Sequence, residues 1–163
     1  MYKNRIPKFN KYPFIIEADR LEEDTAFPTH THGLTEVGMP EFIMDPIAFG
    51  GKGNANRINA AYKFFKKLKN VDKLKAILNG ETVKLTGKQL SPKHLRNEHY
   101  KYCFREVASE FEAVKQAYHK KEITMDMRFI QIWIDGDDFA LTDEYYRGGV
   151  KPRPLSFIKT YLK

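Results

Sequence analysis

The sequence predicts an α+β fold: an antiparallel or mixed sheet of about five to six strands, with two to three helices packed mainly on one face. Three observations carry that expectation. Short apolar runs rich in strand formers follow one another in the first third of the chain. A helical period begins only after residue 56. Strands and helices then come without strict βα alternation. The 163 residues fit a single domain, 1–163. A domain of that size buries enough surface to fold without disulfide staples.

Residues 1–11 are basic and irregular and read as a loose N-terminal arm. Tyr12 to Ala18 (YPFIIEA) is a first strand, ended by the charged loop DRLEEDT. Ala26 to Leu34 is a second strand. Gly38-Met39-Pro40 is turn chemistry, and Glu41 to Phe49 reads as a third strand whose end is marked by Pro46. Gly50 to Asn56 (GGKGNAN) reads as a loop. Ile58, Ala61, Phe65 and Leu68 then recur at helical spacing, and Phe64 widens the stripe. Asn54 or Asn56 is positioned to cap that helix. Val71, Leu74, Ile77 and Leu78 form a second helical stripe, stopped by Gly80. ETVKLTG is a short strand between glycines, and Pro92 to Asn97 is a connection.

Glu98 to Val107 alternates, with Tyr100, Tyr102 and Phe104 on one face and His99, Lys101, Cys103 and Arg105 on the other. Phe111, Val114, Ala117 and Tyr118 suggest a third helix. Met127 to Ile134 (MRFIQIWI) is apolar at both parities after Arg128, except for Gln131, which predicts a central strand. Asp135-Gly136-Asp137-Asp138 is a turn. Residues 145–163 form a basic C-terminal extension, expected to pack through Leu155, Phe157, Ile158 and Tyr161. The expected core is Phe14, Ile16, Phe42, Ile58, Phe65, Leu68, Ile130 and Ile132.

Hydrophobic residues make up 42% of the chain and charged ones 30%, a globular rather than disordered balance. No apolar run is long enough to cross a membrane, and no signal-peptide core opens the chain. The single cysteine, Cys103, excludes an internal disulfide framework. A cytoplasmic protein without a membrane partner is expected. Twenty-eight Lys and Arg against 21 Asp and Glu give a formal charge of +7, which favours anionic partners such as nucleotides or nucleic acid.

The order of motifs resembles a family known as domain of unknown function 4262. The matching stretches are His30-Thr31-His32-Gly33-Leu34, then Gly38-Met39-Pro40-Glu41 followed by Phe42-Ile43-Met44. Gly80 to Gly87 comes next, and then Gln131-Ile132-Trp133-Ile134-Asp135-Gly136. The resemblance spans roughly residues 13–140, each motif being weak alone and the order giving the match its weight. It implies a fold and a cytoplasmic bacterial or phage-type setting, and no mechanism. His30 stands where the family has an aromatic residue and His32 where it has an apolar one. The histidine pair is therefore not something the resemblance predicts.

On a strand, residues two apart point to one face, so His30 and His32 can reach a single ion. Glu36 is the nearest carboxylate in sequence, and His94 or His99 is a candidate further ligand. These residues define a candidate zinc or manganese site, set against a polar cleft that carries no metal. The spacing echoes cupin barrels, but the flanking glycines are absent and a helix follows. Glu41 and Glu36 are the candidate catalytic carboxylates. GGKGNANR suggests an anion-binding helix entrance, with Lys52, Asn54, Arg57, Lys66 and Lys67 as candidate ligands. Asp135, Asp137 and Asp138 match a calcium loop in composition only. Tyr100, Tyr102 and Phe104 read as core before they read as a base-stacking platform. Cys103 has no base beside it in sequence.

The leading functional expectation is a small non-catalytic protein that binds an anionic partner (a nucleotide, nucleic acid or acidic protein surface) and has no cofactor. The alternative is a metal-dependent hydrolase using His30, His32 and Glu36. A protein–protein interaction module is the third reading, and the sequence leaves the oligomeric state open.

Overall fold

The computed structural model describes residues 4–6, 13–18, 28–44 and 48–137. The extension at 145–163 and the packing expected of Leu155, Phe157, Ile158 and Tyr161 lie outside the described residues. The fold is α+β, as expected, with seven strands in one mixed sheet. The strands are β1 (Asn4–Ile6), β2 (Ile15–Ala18), β3 (Thr29–His32), β4 (Glu41–Met44), β5 (Val83–Thr86), β6 (Lys101–Val107) and β7 (Phe129–Ile134). They lie in the order β1-β2-β3-β4-β7-β6-β5. The helices are α1 (Gly50–Phe65), α2 (Val71–Leu78), α3 (Gly87–Leu90) and α4 (Glu112–Ala117).

The seventh strand comes from the segment read as a loose arm: Asn4–Ile6 pairs antiparallel with β2 at the sheet edge. All neighbours are antiparallel except β4 and β7, which run parallel. That pairing needs a long crossover, and α1, α2, β5, α3, β6 and α4 all lie within it. Each residue of β7 is buried, as its apolar run at both parities requires of a strand flanked on both sides.

Alternation sends Phe42 and Met44 of β4 to one face and Ile43 to the other. The first face, with Ile130, Ile132, Tyr102 and Phe104, packs under α1 through Ile58, Ala61 and Phe65. Ile77 of α2 and Leu90 of α3 join the same cluster. A smaller cluster on the second face gathers Ile43, Val107 and Phe129 under Ala113, Val114 and Ala117 of α4. Seven of the eight expected core residues share the larger cluster. Leu68 does not: α1 ends at Phe65, and the 3₁₀ turn Leu68–Asn70 leaves Leu68 86% exposed. Tyr102 and Phe104 are core, and Tyr100 packs against them.

GGKGNAN is not a loop but the first two turns of α1. Asn54 explains how so glycine-rich a start stays helical. Its buried carboxamide accepts a hydrogen bond from the Phe49 N–H at 3.1 Å and donates to Thr29 Oγ1 at 3.1 Å, tying the helix entrance to β3. Gly53 serves packing, since a Cβ there would stand 2.6 Å from the Phe49 Cβ.

Cys103 is fully buried, and burial together with the nearby Asp135 carboxylate pushes its thiol up to about 11. Only about one thiol in a thousand would then be ionised at pH 8. A thiol reagent at that pH is expected to leave native Cys103 unmodified for hours and to label it promptly in denaturant. Rapid labelling of the native protein would contradict the placement.

Candidate functional site

The second face of the sheet gathers three potential metal ligands. Glu17 of β2 lies directly opposite His30 of β3 in the antiparallel register, so their side chains share a face. His32, two residues along, shares it too. Both imidazoles present Nε2 to the same point, 3.1 Å apart. The Glu17 carboxylate approaches at 3.3 Å from His32 Nε2 and 3.8 Å from His30 Nε2. One ligand atom from each of the three residues fits within a 4.8 Å span.

The opposite side of each ring faces an oxygen, and that of His30 is hydrogen-bonded. His30 Nδ1 lies 2.7 Å from the Pro28 carbonyl oxygen, where it can only donate, so the neutral ring carries its lone pair on Nε2. His32 Nδ1 faces Glu122 Oε2 at 3.7 Å. Glu122 is itself oriented by the His119 N–H, which donates to Oε1 at 2.8 Å and caps the 3₁₀ turn Lys120–Glu122. Tyr118 packs its ring edge-on against both imidazoles, with centroids 4.8 and 5.1 Å away. Its hydroxyl donates to the Thr31 carbonyl at 2.6 Å. Burial, reinforced by the Glu41, Glu122 and Glu17 carboxylates, holds that phenol well above its ordinary range, so it remains a donor. His30 is fully buried, whereas the His32 side chain keeps 21% exposure and forms the solvent side of the group. The group is thus closed around His30 and open to solvent at His32.

Two expected roles are corrected. Glu36 is exposed in the 3₁₀ turn Thr35–Val37 and is no part of the histidine group. That turn points it outward, so nearness in sequence did not become nearness in space. Glu41 is buried, and its carboxylate accepts from Thr31 Oγ1 (2.8 Å), Leu34 N–H (3.3 Å), Thr35 N–H (2.7 Å) and Thr35 Oγ1 (2.6 Å). Four donors fill the roughly four lone-pair sites of a carboxylate, which makes Glu41 a staple for the turn between β3 and β4. His94 and His99 are exposed and stand outside the group as well.

The expected anion ligands do not converge. Lys52, Lys66 and Lys67 are exposed along α1 and just beyond it, and Lys66 Nζ lies over the Tyr62 ring at 5.1 Å. Asn54 is the buried brace described above. Arg57 alone enters a built environment. Its Nη2 meets Glu98 at 2.6 Å, its Nε donates to the Tyr102 hydroxyl at 3.1 Å, and its guanidinium lies 3.9 Å over the Phe49 ring.

Sequence reasoning missed Glu17, Glu122, Tyr118 and Glu98. Glu17 left one signal, a lone carboxylate inside an apolar strand run. Its partner could be named only once the strand register was known. Comparison with known proteins adds nothing to this geometry: no family model matches the chain, and neither the curated proteins nor the solved structures return a match.

Proposed function

We propose that this protein binds one divalent transition-metal ion through Glu17, His30 and His32, and that the ion serves hydrolytic chemistry. The observation that carries the reading is the convergence of two Nε2 atoms and a carboxylate, with the outer nitrogen of His30 held by the Pro28 carbonyl and that of His32 facing the Glu122 carboxylate at 3.7 Å. Metal-binding histidines characteristically donate the other N–H to a carbonyl or carboxylate, which fixes the tautomer and the ring direction. The spacing also fits. With bonds of about 2.0–2.1 Å, ligand atoms stand about 2.9 Å apart at a right angle and about 3.3 Å apart at a tetrahedral angle. The 3.1 Å between the two Nε2 atoms and the 3.3 Å from His32 Nε2 to Glu17 Oε1 fall in that range; His30 Nε2 meets the other carboxylate oxygen, Oε2, at 3.8 Å, so the Glu17 side chain must shift for one ion to take all three residues.

Two imidazoles and a carboxylate are borderline donors suited to zinc or another first-row ion rather than to calcium or magnesium. Three protein ligands leave a coordination position for water, which such an ion can ionise near neutral pH. Glu17 takes the place that sequence proximity gave to Glu36.

The test is a zinc titration of metal-depleted protein, read from the histidine ring signals by NMR. Both rings should shift together and saturate at one equivalent. Glu17→Gln, close in shape, should weaken binding by about 100-fold or more, since changes outside the ligand set already cost about 10–100-fold. Unmoved rings at several equivalents, or wild-type affinity in Glu17→Gln, would return the site to the metal-free reading: a histidine pair bridging two carboxylates.

A further inference from the structure

A second site lies on the other side of the sheet, where α1 faces the segment 91–98 across a cleft of about 480 Å³. We propose that this cleft binds a small phosphorylated, hydroxyl-rich ligand of sugar-phosphate size. The volume is within the usual range for small-molecule sites, about 300–1,000 Å³.

The floor is rigid and polar. Arg57 is held at once by Glu98 (2.6 Å), the Tyr102 hydroxyl (3.1 Å), the Tyr100 hydroxyl (3.4 Å) and the Gly53 carbonyl (3.3 Å). Tyr102 donates in turn to the second oxygen of Glu98. Burial raises both phenols above their ordinary range, so the hydroxyls keep their protons and the network keeps its donors. A charged network of this kind gives a fold little net stability, and its clearer use is to fix geometry.

The walls supply recognition chemistry. Asn56, Asn59 and Lys63 follow one another at helical spacing along the cleft side of α1. Ser91 and His94 face them from the opposite segment. The lining holds two cations, Arg57 and Lys63, against one carboxylate, Glu98. Ala60 and Leu95 are the apolar residues of the lining, and the other seven carry polar or charged groups. Carboxamides and a hydroxyl suit the hydroxyls of a sugar, while Lys63 with His94 suits a phosphate.

The segment opposite α1 is fixed rather than loose. Gly87 approaches the Leu95 backbone so closely that no side chain fits between them, and Leu95 is itself buried in the core. A preorganised polar cleft loses little freedom when a ligand binds.

The experiment is backbone-amide NMR of the full chain, titrated separately with a pentose phosphate, the free pentose and inorganic phosphate. Saturable shifts confined to residues 56–63 and 91–98 are expected with the pentose phosphate. Lys63→Glu, an exposed change that leaves the core untouched, should weaken that binding by about tenfold or more, as expected for loss of a charged hydrogen bond. Glu17→Gln should bind the sugar phosphate as the wild type does, because the two sites are separate. The proposal fails if the sugar phosphate gives no saturable shift. It fails equally if inorganic phosphate binds as tightly, or if Lys63→Glu retains full affinity.

Discussion

Glu41→Ala is expected to lower the stability of the fold by about 3–5 kcal/mol, the range seen when one partner of a buried charged network is removed. The magnitude follows from what is left behind rather than from what is taken away. Thr31 Oγ1, the Leu34 N–H and both donors of Thr35 lose their acceptor together. Each unsatisfied buried donor costs about 1–3 kcal/mol. Thr35 is only half-buried, so water can restore part of its loss, which keeps the total below the simple sum. Glu41→Gln should cost less but remain clearly destabilising, because its amide N–H₂ would face a backbone N–H of Leu34 or Thr35, which can only donate. Denaturant unfolding of both variants measures this. A loss under about 1 kcal/mol in Glu41→Ala would show that water replaces the carboxylate, and the stapling role would be withdrawn.

This role clarifies what was legible in the sequence and what was not. That Gly38-Met39-Pro40-Glu41 turns the chain, and that the following strand runs beside β3, follows from turn chemistry and is observed in the β3–β4 pairing. That His30 and His32 share a face follows from strand period alone. Glu41 stays open between two readings in sequence, because a carboxylate at a strand start looks the same whether it lines a cleft or satisfies a turn. Only the positions of Leu34 and Thr35 decide between the two. Glu17 was missed because it comes to His30 through the register of β2 on β3, and register is a long-range property. The α1 stripe was read correctly up to Phe65 and one turn too far at Leu68, where the chain leaves the helix. Helix ends are set by local capping and by what the next segment must reach, and periodicity carries neither. GGKGNAN was misread for a related reason. Glycine is a poor helix former in isolation, but tertiary contact through Asn54 overrides propensity.

The two glycines that bound ETVKLTG show the same limit and support a second prediction of large effect. Sequence treats Gly80 and Gly87 alike, as punctuation on either side of β5. Gly80 has φ +93°, and a Cβ there would meet nothing within 4 Å. Its requirement is conformational, so Gly80→Ala should cost about 1–2 kcal/mol, and Gly80→Asn less, since Asn tolerates the left-handed region. Gly87 sits in the first turn of α3, capped by Thr86, where Ala would be favoured by about 1 kcal/mol on helix propensity. Space decides against it. A Cβ at Gly87 would collide with the Leu95 carbonyl oxygen and press on the Glu98 Cβ at 3.2 Å. Backbone cannot swing aside as a side-chain tip can, so overpacking of about 1–3 kcal/mol or more should outweigh the helical gain. Gly87→Ala is therefore expected to be destabilising by about 2 kcal/mol, against the rule that replacing glycine by alanine in a helix stabilises. The consequence should reach beyond stability. Displacing residues 95–98 moves Glu98 away from Arg57, so the cleft should lose its fixed floor and any sugar-phosphate affinity with it. Gly80→Asn should leave both intact. Unfolding curves and amide NMR of the two variants separate these outcomes. Equal effects at Gly80 and Gly87 would mean that the 91–98 segment can yield, and that the cleft is less rigid than its contacts imply.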